Sequence, residues 1–332
     1  MKVNHYNDGT ISQAIDGYLK SVSLSRSTHT AQTYRNALNC LSNVLQDHHF
    51  PPEKSICKDL SEDVVVWFAT ALKEYAPTTE RLYLTVLNGF FEFIAAERLA
   101  DPNLPRVRML IRQRSRRPGQ RLPQFPRRTI EYIIEYAINI AHIPSENTND
   151  YLRNLRDRAF IITLADTGLR VHEACALRRG DIDWDEYRAI IIGKGDRQDV
   201  VRFSRRCMKA IKDYLAARSE LDGNSGKVLS SLPLFARHDR GAGKKLKPIT
   251  PTTGRNIVAQ RVLEAVGVDA VGTITPHSFR HYFVTTVLRG SGGNLKLAQS
   301  LARHRNIAVT QRYAHLSDDE LDKGYWEIFE GS

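Results

Sequence analysis

Cysteine is scarce and scattered in this chain of 332 residues: only Cys40, Cys57, Cys175 and Cys207 occur, and no two of them form a C-x-x-C pair. A disulfide framework and a cysteine-based zinc site are therefore not expected, and the four thiols read as small buried side chains. No apolar run approaches the roughly 18 residues that a membrane span requires. The first residues, MKVNHYNDGT, lack the basic-then-apolar layout of a signal peptide, so an intracellular protein is expected. No repeat recurs at the 20 to 50 residue periods of solenoids. With 42% hydrophobic and 26% charged residues, the composition is that of an ordinary globular protein long enough for about two domains.

Acidic residues are the minority charge. Against 48 Lys and Arg stand 37 Asp and Glu, a net charge of +11 that favours polyanionic partners. The excess is concentrated. Residues 1–97 are slightly acidic, whereas residues 98–128 carry 10 arginines, no lysine and one aspartate. Guanidinium forks match phosphate oxygens better than ammonium groups do. Pro102, Pro105, Pro118, Pro123 and Pro126 lie in the same stretch, so it reads as a linker without a long helix, facing nucleic acid through Arg106, Arg108, Arg112, Arg114, Arg116, Arg117 and Arg121. A merely solvated tether has no reason to exclude lysine and acids so thoroughly.

Before the linker, apolar residues at three and four spacing predict helices over 11–21, 28–47, 61–75 and 78–98, with Ser61 and Thr78 as candidate caps, hence a small helical bundle over 1–97. After it, helices are expected at 129–142, 150–166, 171–178, 205–218, 252–266, 277–289, 294–302 and 309–329. Between them, a period-two pattern over 187–192 and 200–203 flanks GKGDRQ and predicts a β-hairpin. The fold class expected is mainly α with a small β-sheet, in three parts: a helical domain at 1–97, the linker at 98–128 and a mixed domain at 129–332.

Several polar residues interrupt these helices at spacings that bring them together. Gly168 can end one helix in a left-handed conformation so that the next begins at once, placing Arg170 at its start and Glu173 on the same face. After Thr275 and Pro276, His277 and Arg280 repeat that three-residue spacing. His304 precedes Tyr313 by nine residues, and Thr310 is a candidate N-cap for a helix carrying the tyrosine. Each pair alone is an ordinary surface arrangement. Two arginines, two histidines, Lys194 in a glycine-flanked turn and one tyrosine together supply what a phosphodiester transition state needs, and no acidic metal-binding cluster accompanies them.

The segments TGLRVHE at 167–173, IIGKGDRQDVVRF at 191–203, TPHSFRHYF at 275–283 and LARHRNIAVTQRYAHLS at 301–317 resemble, in order and separation, the tyrosine recombinase or phage integrase family. The resemblance implies a core-binding domain and a catalytic domain that clamp double-stranded DNA in a C shape. It implies that Arg170 and Arg280 hold the scissile phosphate, that Glu173 orients Arg170, and that Lys194 acts as general acid to the leaving 5′-oxygen. His277 would serve acid and base steps, His304 would hydrogen-bond the phosphate, and Tyr313 would attack to give a 3′-phosphotyrosyl link. Neither metal, ATP nor any cofactor is implied. Site-specific recombination by a tetramer through a Holliday junction is the activity expected, in the bacterial cytoplasm, with the amphipathic tail 317–330 docked on a neighbouring protomer. A catalytically silent DNA-binding regulator, a type IB topoisomerase and a telomere-resolving enzyme are the alternatives on the same fold. Two positions depart from the family pattern. Arg303 stands where glycine is usual, which implies a changed backbone or an extra phosphate contact, and Asp196 and Arg197 occupy positions where a second lysine is frequent.

Overall fold

The computed structural model describes residues 9–116, 126–145, 147–193, 197–239 and 246–311, and the chain divides into two compact units, Met1–Arg121 and Leu122–Ser332. Four of the expected segments and one unexpected helix build the first unit: α1 (Ile11–Ser25), α2 (Thr28–Asp47), α3 (Val64–Ala71), α4 (Pro77–Ala96) and α5 (Leu104–Arg114). In α1 the buried residues Ile11, Ala14, Ile15, Tyr18, Leu19 and Val22 recur every three or four positions, one stripe of a helix, and Thr10 and Gln13 close a capping box before it. Ser61 and Thr78 are not the caps expected. Helix α3 begins three residues later than predicted, behind Asp63, and Pro77 opens α4 from its first position, where its missing N–H costs nothing. Tyr18, Tyr34, Phe90 and Phe93 pack ring to ring where α1, α2 and α4 meet.

Helix α5 corrects the linker expected at 98–128, at least over its described part. Pro105 falls in the first turn, Asn103 caps the helix by accepting from the Arg106 N–H, and no further proline follows until Pro118, which leaves room for three turns. Val107 and Leu110, one turn apart, are buried in the core of the first unit. Three arginines of the stretch are ion-paired within the first unit, Arg106 and Arg108 on its exposed surface and Arg116 just past the end of α5. Arg106 binds Glu62 and Asp63, and Arg108 binds Glu92. Arg116 binds Glu80, a carboxylate with no exposed surface that also receives Lys73 and the Arg116 N–H. Burial alone would raise the Glu80 carboxyl, but these donors bring it below its ordinary range. Arg112 is exposed, and Arg117 and Arg121 lie outside the described residues.

The second unit is mainly helical around one three-stranded antiparallel sheet. Its elements are α6 (Arg127–Asn139), α7 (Thr148–Thr167), α8 (Val171–Ala176), β1 (Ile182–Asp183), β2 (Arg188–Gly193), β3 (Arg197–Arg202), α9 (Arg205–Ala217), α10 (Ser219–Gly223), α11 (Pro251–Val266), α12 (Pro276–Gly290), α13 (Leu295–Ala302) and α14 (Ile307–Gln311). The strands run in the order β1-β2-β3, and Ile190 faces Val200 in the register of the expected hairpin. Strand β1 was not foreseen: two residues are too few to show a period of two. Helix α7 is buried over most of its circumference, from Leu152 to Thr167, with α6, α9 and α12 packed round it. All four cysteines are free thiols; three are buried, and Cys40 is half-buried. Among the described residues no helix is long and apolar enough to cross a membrane.

Candidate active site

The site is organised by the end of α7. Gly168 terminates that helix with φ 59°, and a Cβ there would run into the Phe283 ring, so both backbone and packing require glycine. The chain turns at once into α8 with Arg170 as its N-cap residue. Glu173, three residues on, accepts from the Arg170 N–H at 2.8 Å with Oε2 and from the Arg170 guanidinium at 2.8 Å with Oε1. Backbone and side chain of one arginine are thus held by one carboxylate. Burial alone would raise the Glu173 carboxyl; the Arg170 N–H and the neighbouring Arg303 and Arg170 cations outweigh it and hold the group ionised below its usual range. The Arg170 side chain keeps 44% of its surface exposed.

Helix α12 supplies the second pair. Pro276 occupies its first turn, and the Ser278 hydroxyl accepts from the Thr275 N–H. Arg280, only 2% exposed, donates to the carbonyls of Gly168 and Ala302 and so ties the turn after α7 to the end of α13. His277 sits on the same face, its ring 4.2 Å from that of His281 in an edge-on contact. Burial lowers His277, and the Arg280 and Arg170 cations add to it.

His304 follows the end of α13. Its N–H donates to the Gln299 carbonyl, the Gln299 amide returns a bond to the His304 carbonyl, and its Nδ1 lies 2.9 Å from the buried Thr310 hydroxyl. Thr310 is therefore not the N-cap expected: it lies inside α14 and fixes the imidazole ring instead. His304 is pushed down to about 4, first by burial and then by Arg280, Arg170, Arg303 and His277. The same five charged and titratable groups that the sequence singled out in three distant segments thus act on one another electrostatically in the folded chain. Lys194, Tyr313 and the tail 317–330 lie outside the described residues.

Four further residues contribute in roles that the sequence did not assign to them. Thr310 and Gln299 orient His304, His281 packs on His277, and Arg303 joins Glu173 at 3.2 Å. Arg303 alone was signalled, by its departure from the family pattern. Its backbone keeps the left-handed conformation (φ 57°) that a glycine would adopt, and its side chain turns inward. Chemically, Arg170, Arg280 and Arg303 outnumber the carboxylates that act on them, Glu173 and more weakly Asp199, and His277 and His304 are neutral at pH 7, able to accept or donate a hydrogen bond without adding charge. Such a surplus suits an anionic phosphoryl group.

Comparison with known proteins agrees with this geometry. Residues 140–320 match the phage integrase family, and residues 15–98 match the N-terminal SAM-like domain of phage integrases. Tyrosine recombinase XerC of Thermodesulfovibrio yellowstonii is 27% identical over 315 residues, covering 94% of each chain. XerC of Halalkalibacterium halodurans is 28% identical over 312 residues, covering 93% of each. Among solved structures, the XerH site-specific recombinase bound to its palindromic difH substrate superposes with a TM-score of 0.68 at 18% identity, covering 97% of this chain and 85% of that one. A lambda integrase fragment (residues 75–356 of that protein), solved as a dimer bound to a COC′ core site, gives 0.61 at 16% identity, covering 92% and 95%. With a family match spanning more than half its length and the arginine, glutamate and histidine pattern assembled at the end of α7, the chain belongs to the phage integrase family, the tyrosine recombinases.

Proposed function

We propose that the protein is a site-specific recombinase that cuts and rejoins double-stranded DNA through a 3′-phosphotyrosyl intermediate and a Holliday junction. The observation that carries this reading is the convergence of Arg170, Glu173, His277, Arg280 and His304 around the turn after α7. In the proposed reaction the Tyr313 oxygen attacks the scissile phosphorus and the deoxyribose 5′-oxygen leaves. One P–O bond forms as another breaks, so the ester energy is kept for rejoining and no ATP is consumed. Arg170 and Arg280 neutralise the non-bridging oxygens as charge develops, with Glu173 fixing the first of them. Lys194 protonates the departing 5′-oxygen. His277 takes part in proton transfer, and His304, its ring set by Thr310, hydrogen-bonds the phosphate. Positive charge comes from the chain's own Arg and Lys side chains, without a metal ion in the scheme.

Recombination pairs two duplexes, so four protomers act together, and the tail 317–330 docks on a neighbour. A silent DNA-binding regulator on the same fold is the rival from another functional class, and one experiment separates the two. Duplexes bound by the full chain are selected from a random library, and the recovered site is rebuilt as a suicide substrate nicked beside the cleavage point. The enzyme reading expects a covalent protein–DNA adduct that Tyr313→Phe abolishes while binding persists. Saturated binding with no adduct identifies the regulator.

A further inference from the structure

Arg303 occupies its position at two costs. A residue with a Cβ in the left-handed region is less favourable than glycine by about 1 kcal/mol, and a guanidinium only 4% exposed is set beside two other cations. Its Nε has no acceptor among the described residues, so the contacts are made at the other end of the group. There, Nη2 donates to Glu173 Oε2 at 3.2 Å and lies 3.4 Å from the Gly168 carbonyl. These two acceptors are the anchors of the site: Glu173 holds Arg170, and the Gly168 carbonyl receives Arg280. An inward-turned guanidinium between them is not the extra phosphate contact that an arginine here could have supplied. A costly conformation maintained at such a place points to a function.

We propose that Arg303 is a positioning residue for strand cleavage: by bridging Glu173 and the Gly168 carbonyl it couples the anchor of Arg170 to the anchor of Arg280, so that the two guanidinium groups present to the phosphate as one rigid clamp. This rests on the chain being a DNA-cleaving recombinase. Arg303 acts through its neighbours and need not touch the substrate. Its charge also adds to the burial and to the Arg280 and Arg170 cations that disfavour a proton on His304.

The test compares the full-length chain with Arg303→Gly and Arg303→Lys. Glycine relieves the left-handed backbone, so the first variant is expected to fold, and its thermal melt checks this. On the selected suicide duplex, Arg303→Gly should bind within about twofold of the parent but cleave in single turnover on the order of 10- to 100-fold more slowly, as displaced reacting groups do. Arg303→Lys, which keeps the charge and one contact, should recover part of the rate. Imidazole NMR of the DNA-free chain should show the His304 midpoint rising in Arg303→Gly and staying near the parent value in Arg303→Lys. Cleavage by Arg303→Gly within twofold of the parent, or a rate loss matched by an equal loss of binding, overturns the positioning role while leaving the recombinase reading intact. A parent chain that binds the duplex and forms no adduct overturns the recombinase reading, and the positioning role falls with it.

Discussion

Four histidines of the second unit, His238, His277, His281 and His304, are held against their ordinary chemistry. Burial is the first cause in each case. His304 and His281 are pushed down to about 4, His238 to about 3, and His277 is lowered as well, with neighbouring arginines or histidines adding to the effect. In the unfolded chain these groups titrate near 6.5. Between that value and their folded values the unfolded state binds more protons, so stability rises with pH across the window and is lost as pH falls from about 6.5 toward 4. The expected result is a denaturation midpoint that drops steadily over that range with an uptake of several protons. His304→Gln should reduce the uptake by about one. A midpoint independent of pH between 4 and 6.5 would mean that these imidazoles are not held neutral in the folded chain. The same residue scale explains what could be read in advance. Arg170, Glu173, His277, Arg280 and His304 interrupt apolar helices, and polar interruptions are visible in one dimension. Thr310 and Gln299 are not, because a threonine inside a short helix carries no mark that its hydroxyl faces a ring six residues back in the chain.

Among the elements, long amphipathic helices were legible and the chemistry of their ends less so. Ile11–Ser25 and Thr28–Asp47 announce themselves by period, and Gly168 by its place between two helical patterns. Helix α5 was hidden because its arginines and flanking prolines outweighed a two-residue apolar face, Val107 and Leu110. Two substitutions test these elements. Gly168→Ala must place a methyl group against Phe283 and hold alanine in a left-handed conformation. A loss of roughly 2–4 kcal/mol is expected in denaturant melts of the second unit, from overpacking together with the backbone penalty. A loss under 0.5 kcal/mol would show that the turn after α7 can relax without harm. Arg116→Ala removes a partner from the buried Glu80 carboxylate, leaving Lys73 and a backbone N–H to satisfy it. It should destabilise the first unit by about 1–3 kcal/mol. A variant as stable as the parent would return Arg116 to the pool of arginines available to DNA.

For the whole molecule, a charge of +11 is a statement about partners, and α5 changes which arginines can make it. Arg106, Arg108 and Arg112 are all exposed, but the first two are ion-paired with Glu62, Asp63 and Glu92, whereas no ion pair holds Arg112 among the described residues. Each phosphate contact contributes about 0.9 to the slope of log K against log salt. Replacing Arg112 with Gln should therefore flatten the slope by up to about 0.9, while replacing Arg106 and Arg108 should leave it nearly unchanged. The reverse pattern would show that the ion pairs of the first unit open on DNA. If a phenolic oxygen of this chain becomes joined to DNA, the bond can be located. The adduct formed on a suicide duplex can be digested with protease and nuclease and its nucleotide-bearing peptide sequenced by mass spectrometry. The expected result is a single modified residue, Tyr313, linked through a 3′-phosphate, with a free 5′-hydroxyl on the released strand. Attachment at another residue, a 5′-phosphate linkage, or no adduct on fully bound DNA would contradict it.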